Sequence, residues 1–454
     1  MNTIKTVAWV SVLGWALAAA NTWAAVSAAE AAKLGGSLTP MGAEKAGNAD
    51  GSIPAWAPMP KTAGAVDAKG FLADPYASEK PLFVIDSKNV DKYAGKLAPG
   101  QVAMIKRYPD TYRLPVYPGH RGATVPDAVF AAIKENATQT RLVGEGNGLE
   151  NFKTAIPFPI PQSGLEVIWN HITRYRGGAV SRTVTQATPQ QNGDYSLVYF
   201  NDSFVFRDRM KDHDPNNPGN ILFYFKQAVT APARLAGTVL LVHEPIDQVK
   251  EPREAWIYNA GQRRVRKAPQ VAYDGPGTAA DGMRTSDNLD MYNGAPDRYD
   301  WKLVGKQEMY IPANSYKLDS PSLKYADIIK PGHINQDLTR YELRRVWHVV
   351  ATLKSGQRHI YAKRDMYFDE DTWQAAVIDH YDGRGALWRV AEAHAQNYYN
   401  YQVPWTTLET LYDLQSGRYL ALGMKNEEKR AYNFEFTANS SEYNPNALRQ
   451  DGIR

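Results

Sequence analysis

Along residues 341–353 apolar and polar positions alternate with a period of two. Tyr341, Leu343, Trp347, Val349, Ala351 and Leu353 share one face with Arg345, while Glu342, Arg344, His348 and Thr352 take the other with Val346 and Val350. Successive side chains of a pleated strand point to opposite faces, so this stretch predicts a half-buried β-strand. Ser355 and Gly356 then signal a turn, 358–368 returns, 369–372 turns again, and 373–381 and 387–393 follow as further strands. The same signature recurs at 195–207, 221–230, 238–243, 254–259, 263–267 and 301–310. About ten such strands joined by short loops make an antiparallel meander, and one sheet of that size has to curl, close or split.

One helix stands out. Leu165, Ile168, Trp169 and Ile172 fall at i, i+3, i+4 and i+7, a single apolar stripe between Gly164 and Arg176, and Gly177-Gly178 stops it. Before it, 25–161 is punctuated by Pro and Gly and holds two short helical patterns, at 99–108 and 125–137. Such a segment buries little by itself. It is expected to wrap around the larger body, with a flexible linker as the alternative. The fold class that follows is mainly β (α+β): a large, strongly curved antiparallel sheet with a helix in its concavity. The expected organisation is a signal peptide at 1–24, an irregular wrapping segment at 25–161, and the sheet domain with its plug helix at 162–454.

Composition changes the picture first at the N-terminus. Lys5, the apolar stretch from Val7 to Ala20 and the small residues around Ala24 read as a secretory signal cut near Ala24, with Ala25 and Ala28 as later possibilities. The apolar run is too short to span a bilayer, and no later segment reaches about 18 consecutive apolar residues. The absence of cysteine removes disulfides and a thioether-linked lipid anchor. The mature chain is therefore expected to be soluble and exported, without a transmembrane segment and held by packing alone. The 52 Lys+Arg against 48 Asp+Glu leave a formal charge of +4, too even to imply a nucleic-acid partner. A count of 27 Tyr and 11 Trp favours pleated sheets and surfaces that are partly apolar and partly wet.

The scan for chemistry returns few patterns. No HExxH, GxSxG, P-loop or strand-following GxGxxG is present, and the nine histidines form no close ligand pair, so neither cofactor nor metal is expected. His171 and His348 read as packing or hydrogen-bonding residues. Asp212, Asp214 and Asn216 alternate as in a calcium loop, but Asn217 and Phe223 stand where an EF-hand needs glycine and a carboxylate. The glycine-rich 274–282 lacks a following helix to hold phosphate and reads as a long loop over the mouth of the sheet. Asp369, Glu370 and Asp371 read as a solvated turn. Residues 256–269 read as a hairpin with Arg263 and Val265 on one face, Arg264 and Arg266 on the other.

That hairpin, with 38–56, 157–161, 164–171, 285–294, 299–306 and 331–335, resembles a family of Gram-negative exported proteins known as domain of unknown function 1329. The resemblance implies a fold similar to the lipoprotein carriers LolA and LolB, a curved antiparallel sheet open like half a barrel. It brings no catalytic residues, and it implies cell-envelope work in the company of export pumps and outer-membrane proteins. The expected function is a non-enzymatic periplasmic carrier or chaperone for a lipid-like, amphipathic molecule. The alternatives are a structural adaptor of an envelope export complex, and a lipid or glycan hydrolase. Candidate ligand contacts are Trp169 and Ile172 as helical plug and Trp347 and Val349 as trough wall. Arg263 and Arg266 are the candidates for an anionic headgroup or partner surface.

Overall fold

The computed structural model describes residues 25–268, 271 and 273–453; the expected signal peptide lies outside the described residues. Ahead of the central helix come α1 (Ala28–Ala31), β1 (Phe83–Ile85), α2 (Val90–Tyr93), α3 (Pro99–Arg107), β2 (Leu114–Val116) and α4 (Asp127–Gln139). A small hairpin, β3 (Arg141–Val143) and β4 (Gly148–Glu150), follows. The amphipathic stripe forms α5 (Gly164–Thr173). Ser163 caps it by accepting from the Glu166 N–H, and Gly177 and Gly178, both at positive φ, redirect the chain beyond it.

Six strands come next: β5 (Ala179–Ala187), β6 (Leu197–Phe206), β7 (Ile221–Ala231), β8 (Val239–Pro245), β9 (Glu254–Asn259) and β10 (Arg264–Lys267). After a long crossing the chain forms β11 (Tyr299–Pro312), α6 (Tyr325–Ile328), β12 (Tyr341–Leu353), β13 (Lys363–Asp369), β14 (Ala375–Tyr381) and β15 (Leu387–Tyr398). It ends with β16 (Val403–Asp413), β17 (Tyr419–Met424) and α7 (Leu448–Ile453). The alternating segments are strands as the pattern predicts, and β9 and β12 match it to the residue. Seven strands lie outside the predicted set: the long β5, β16 and β17, and the three-residue β1, β2, β3 and β4 within the segment read as irregular.

Both runs are antiparallel meanders, and β17 pairs with β5, which joins them into one sheet of 15 strands. The order runs β11-β12-β13-β14-β15-β16-β17-β5-β6-β7-β8-β9-β10. The sheet is mixed rather than wholly antiparallel, because Val116 of β2 pairs parallel with Tyr341 at the start of β12. It does not close: β11 and β10 stand at opposite edges.

Its curvature is strong. Apolar side chains from both halves of the sheet, among them Phe204, Phe225, Val349, Phe368, Ala391 and Leu411, meet Val167, Ile168, Trp169 and Ile172 of α5 in one core. β11 folds back to within 8 Å of β14 and β15, although two and three strands lie between them in the order. The other face is covered too. Leu97, Met104 and Ile105 of the α3 region pack against Val390, Leu408, Tyr412 and Tyr419, while Tyr443 and Leu448 cover Val205, Val239 and Leu241. Neighbours such as Val390 and Ala391 thus enter opposite cores, as a period of two requires.

The 369–371 turn corrects an expectation. Asp369, Glu370 and Asp371 are buried rather than solvated. Asp371 accepts two bonds from Arg121 at 2.9 Å and one from Arg344 at 3.0 Å, and Glu370 accepts from the Glu44 N–H at 3.0 Å. The acidic turn clasps the N-terminal segment; three adjacent carboxylates read alike in sequence whether water or arginine faces them. A second clasp lies at α3. The Gly100 N–H donates to Asp379 of β14 at 2.8 Å, and a Cβ there would stand 2.1 Å from Asp379 Oδ1.

Candidate functional site

Because β10 and β11 occupy opposite edges, the chain between them has to cross the sheet. It crosses the concave face, so residues 273–298 form a strap over the trough. The long loop expected over the mouth is part of it, and it reaches deeper than a surface loop would. Ala280, Met283, Asp287, Asn288, Met291 and Tyr292 are all buried.

The strap is tied to six of the strands beneath it. Gln186 of β5 donates to the Ala279 carbonyl at 2.7 Å, and Arg389 of β15 donates to the Gly282 and Met283 carbonyls at 3.0 Å. Asp287 accepts from Arg364 of β13 at 2.7 Å and pairs with His359 at 3.0 Å. Asn288 donates to His380 of β14 at 3.0 Å, and the Met291 N–H donates to Glu409 of β16 at 3.2 Å. Asn293 donates to Glu244 of β8 at 3.1 Å, beside the Arg253–Glu244 ion pair at 2.6 Å.

The centre of the strap is Asp290. Arg174, just past α5, bonds one of its oxygens at 2.7 Å, Arg176 bonds the other, and Trp405 Nε1 adds a bond at 3.1 Å. Burial raises the Asp290 carboxyl, but the Arg174 and Arg176 charges outweigh it and hold the group well below the usual carboxylate range. His171 sits against the same knot. The Ala375 N–H donates to its Nδ1 at 3.1 Å, so Nε2 carries the proton that bonds the Asp290 carbonyl at 3.0 Å. Burial and the Arg174 charge lower its pKa to about 3, which keeps the ring neutral. Nearby, burial and the Asp290 charge push the Glu409 carboxyl up to about 7, against the pull of Arg182 and Arg284.

The concavity is mostly filled by α5, the strap and part of the N-terminal segment. What remains is a cavity of about 110 Å³ between the strap and β7–β9. Phe225, Leu240, Val242 and Ile257 line its sheet side, and Leu289 lines its strap side. Register brings them together: Phe225 pairs with Val242, and Gln227 with Leu240, which pairs in turn with Ile257. Leu240 and Val242 are half-buried and Ile257 is 37% exposed, so the apolar wall runs out to the surface at β9. Spaces of about 20 and 30 Å³ adjoin it through Arg284, Phe225 and Leu289. A larger cleft of about 410 Å³ lies at the rim, but exposed polar residues such as Gln190, Asp194, Arg234 and Asp281 line it, and it offers little apolar shelter.

Trp169, Ile172 and Val349 are buried together in the α5 core, and Trp169 Nε1 donates to the Gly146 carbonyl at 2.9 Å. Trp347 packs at the margin of that core and stacks on Trp373, with ring centroids 6.1 Å apart. None of the four lines the cavity on β7–β9. Arg263 and Arg266 are exposed on the edge hairpin, Arg263 in its turn at positive φ and Arg266 directly across from Ile257. Sequence reasoning did not single out Arg174, Arg176, Arg284, Asp290 or Glu409. Only the pairing of β17 with β5, which sends the strap across the trough, brings them together.

Comparison with known proteins accords with membership of one family. Residues 84–449 match the family described as Protein of unknown function (DUF1329). An uncharacterized protein of Pseudomonas aeruginosa is 72% identical over 455 residues, covering 100% of both chains. Among solved structures, a DUF1329 family protein from Desulfovibrio piger is 12% identical over 60% of this chain and 92% of its own, with a TM-score of 0.41. A LolA superfamily protein from Nitrosomonas europaea is 11% identical over 63% of this chain and 98% of its own, with a TM-score of 0.37. On the match over 84–449 and the full-length relative, the chain belongs to the DUF1329 family of proteins of unknown function.

Proposed function

We propose that this protein is a periplasmic carrier or chaperone for an amphipathic, lipid-like molecule, whose apolar part lies between the strap and β7–β9. The observation that carries this reading is the cavity itself. Its sheet side carries the apolar row Phe225, Leu240, Val242 and Ile257 beside Gln227 and the paired Glu244, it reaches the surface at Ile257, and its roof is a segment outside the sheet's hydrogen-bond ladder. Burying a methylene there is worth about 0.8 kcal/mol, so a chain of about ten binds usefully after the costs of ordering. The space of about 110 Å³ is small beside ligand pockets of roughly 300–1,000 Å³, so the strap has to shift to admit a whole chain. Backbone strain favours such a shift: Ala279, Asp281, Asp290 and Met291 all hold positive φ.

In this reading Trp169, Ile172, Trp347 and Val349 form the rigid plug and wall that fix the trough's shape. Arg263 and Arg266 offer charge to an anionic headgroup or a partner surface at the mouth. Residues 25–161 serve as a cover for the body at 162–454, behind a signal peptide at 1–24. An envelope export pump or outer-membrane protein is the partner to which cargo would pass.

Native mass spectrometry of protein purified from its own host tests the reading. A co-purifying adduct of lipid mass, lost on delipidation, is the expected result. A second reading, a structural adaptor of an envelope complex, is favoured by one observation: both faces of the sheet are covered by the chain's own residues. A bare mass from every preparation would favour that adaptor over the carrier.

A further inference from the structure

We infer that the concave cavity receives the carboxylate end of a single-chain acyl anion, with Arg284 as its ion-pair partner. The inference rests on the carrier reading and adds to it the charge and shape of the cargo's polar end.

Arg284 is the odd arginine of the trough. Arg174 and Arg176 share Asp290, Arg182 pairs with Asp202, Arg253 with Glu244, and Arg364 with Asp287. Arg284 is only 8% exposed and lines the cavity, yet it makes no ion pair or side-chain hydrogen bond among the described residues, and its Nε is wholly buried and unbonded. Its nearest acids are engaged elsewhere. Asp202 bonds Arg182 at 3.2 Å, and Glu409 accepts from the Met291 N–H. Burial depresses the Arg284 guanidinium from its ordinary value, with Glu409 and Asp202 opposing, but a guanidinium stays charged at any physiological pH. A buried cation without a bonded counter-charge is costly, and an arriving anion relieves that cost.

Local structure aims this side chain. The Gly277 N–H donates to the Arg284 carbonyl at 2.8 Å, closing a loop within the strap. The guanidinium lies over Gly277, where a Cβ would stand 2.9 Å from Nε and 3.2 Å from Cζ. Phe225, Leu240, Val242 and Ile257 then lead away toward the open edge. A planar fork at one end of an apolar wall matches a carboxylate on an alkyl chain. One unmatched positive charge beside Glu244 and Glu409 suits a monoanion better than a phosphate dianion. The small space around the fork suits one chain better than a two-chain glycerolipid.

Isothermal titration of the mature protein with dodecanoate, dodecanol and dodecyl phosphate, on wild type, Arg284→Gln and Gly277→Ala, tests the inference. Wild type is expected to bind dodecanoate about tenfold or more tighter than dodecanol, as a charge-assisted bond provides. In Arg284→Gln that preference falls to about threefold or less. Gly277→Ala keeps the charge but displaces the guanidinium, so it weakens dodecanoate more than dodecanol and narrows the preference between them; it carries the test if Arg284→Gln does not fold. Equal binding of dodecanoate and dodecanol, an unchanged preference in the variants, or tighter binding of dodecyl phosphate would overturn the inference while leaving the carrier standing. Failure of all three to bind would instead remove the carrier reading.

Discussion

Replacing Asp290 with asparagine is expected to lower the stability of the protein by about 3–5 kcal/mol, the loss that follows when one member of a buried ion pair is removed. Asp290 is the shared counter-ion of Arg174 and Arg176, and both arginines are almost fully buried. Arg174 would keep Gln374 and the His171 carbonyl, and Arg176 only the Ile172 carbonyl. Those neutral acceptors do not balance two charges in a dry core. One amide oxygen can still accept from Trp405, but the amide nitrogen then faces Arg176 donor to donor, so the middle of the strap is held less firmly. Urea unfolding should show a clearly lower midpoint, and limited proteolysis should cut first within 273–298. A midpoint equal to wild type would mean that the knot of charges does not anchor the strap.

The second large effect concerns pH and lies on the opposite face. Burial pushes the Asp379 carboxyl up to about 8, with the Asp365 and Glu392 charges adding and the Gly100 N–H opposing. A carboxyl whose pKa is higher in the folded state stabilises that state while protonated. Its contribution is complete below about pH 4 and is lost as pH rises toward 8. At about 1.4 kcal/mol per pH unit, the native state should lose on the order of 3 kcal/mol between pH 5 and pH 8 through this residue. Asp379→Asn stays neutral throughout, and its side-chain oxygen can still accept from Gly100. In urea unfolding the variant should therefore lose about 3 kcal/mol less than wild type between the two pH values, and what it still loses belongs to Glu409, pushed up to about 7, and Asp369, pushed up to about 6. Parallel pH profiles for the two proteins would contradict this account. The carboxylates held low by arginine, such as Asp287, act below pH 4 and leave this window undisturbed: burial raises Asp287, but Arg364 and His359 outweigh it.

Much of the architecture was legible because half-buried strands write their period into the chain. β9 and β12 could be read to the residue, and α5 announced itself through Leu165, Ile168, Trp169 and Ile172. β16 and β17 were harder to read this way, since nearly every residue in both is buried; β13 and β14 are as buried, but the turn at 369–372 between them marked them out. A strand covered on two faces has no polar side, and its alternation vanishes. β5, with its run of Ser, Thr and Gln, carried too weak an apolar signal. The family resemblance was visible in short stretches of Pro, Gly and aromatic residues, and the match over 84–449 bears it out.

The candidate site was harder to see. A glycine-rich loop over the sheet was expected, but its path across the trough depends on which strands stand at the two edges. That in turn depends on the β17–β5 pairing, made by residues more than 230 positions apart. Arg284 differs from its neighbours in lacking a bonded acid among the described residues, a property that exists once the fold has placed every other charge. The Asp369–Asp371 run misled for the same reason, because Arg121 and Arg344 reach it from distant parts of the chain.

The central claim is that cargo lies under the strap, against β7–β9. A crystal structure of the protein with ω-bromododecanoate, its bromine located by anomalous scattering, measures this directly. The account predicts the carboxylate on Arg284 and the bromine near the β9 edge beyond Ile257, with the strap displaced around the chain. Bromine found at α5, on the outer face of the sheet or only in the rim cleft, with the cavity unchanged, would contradict it.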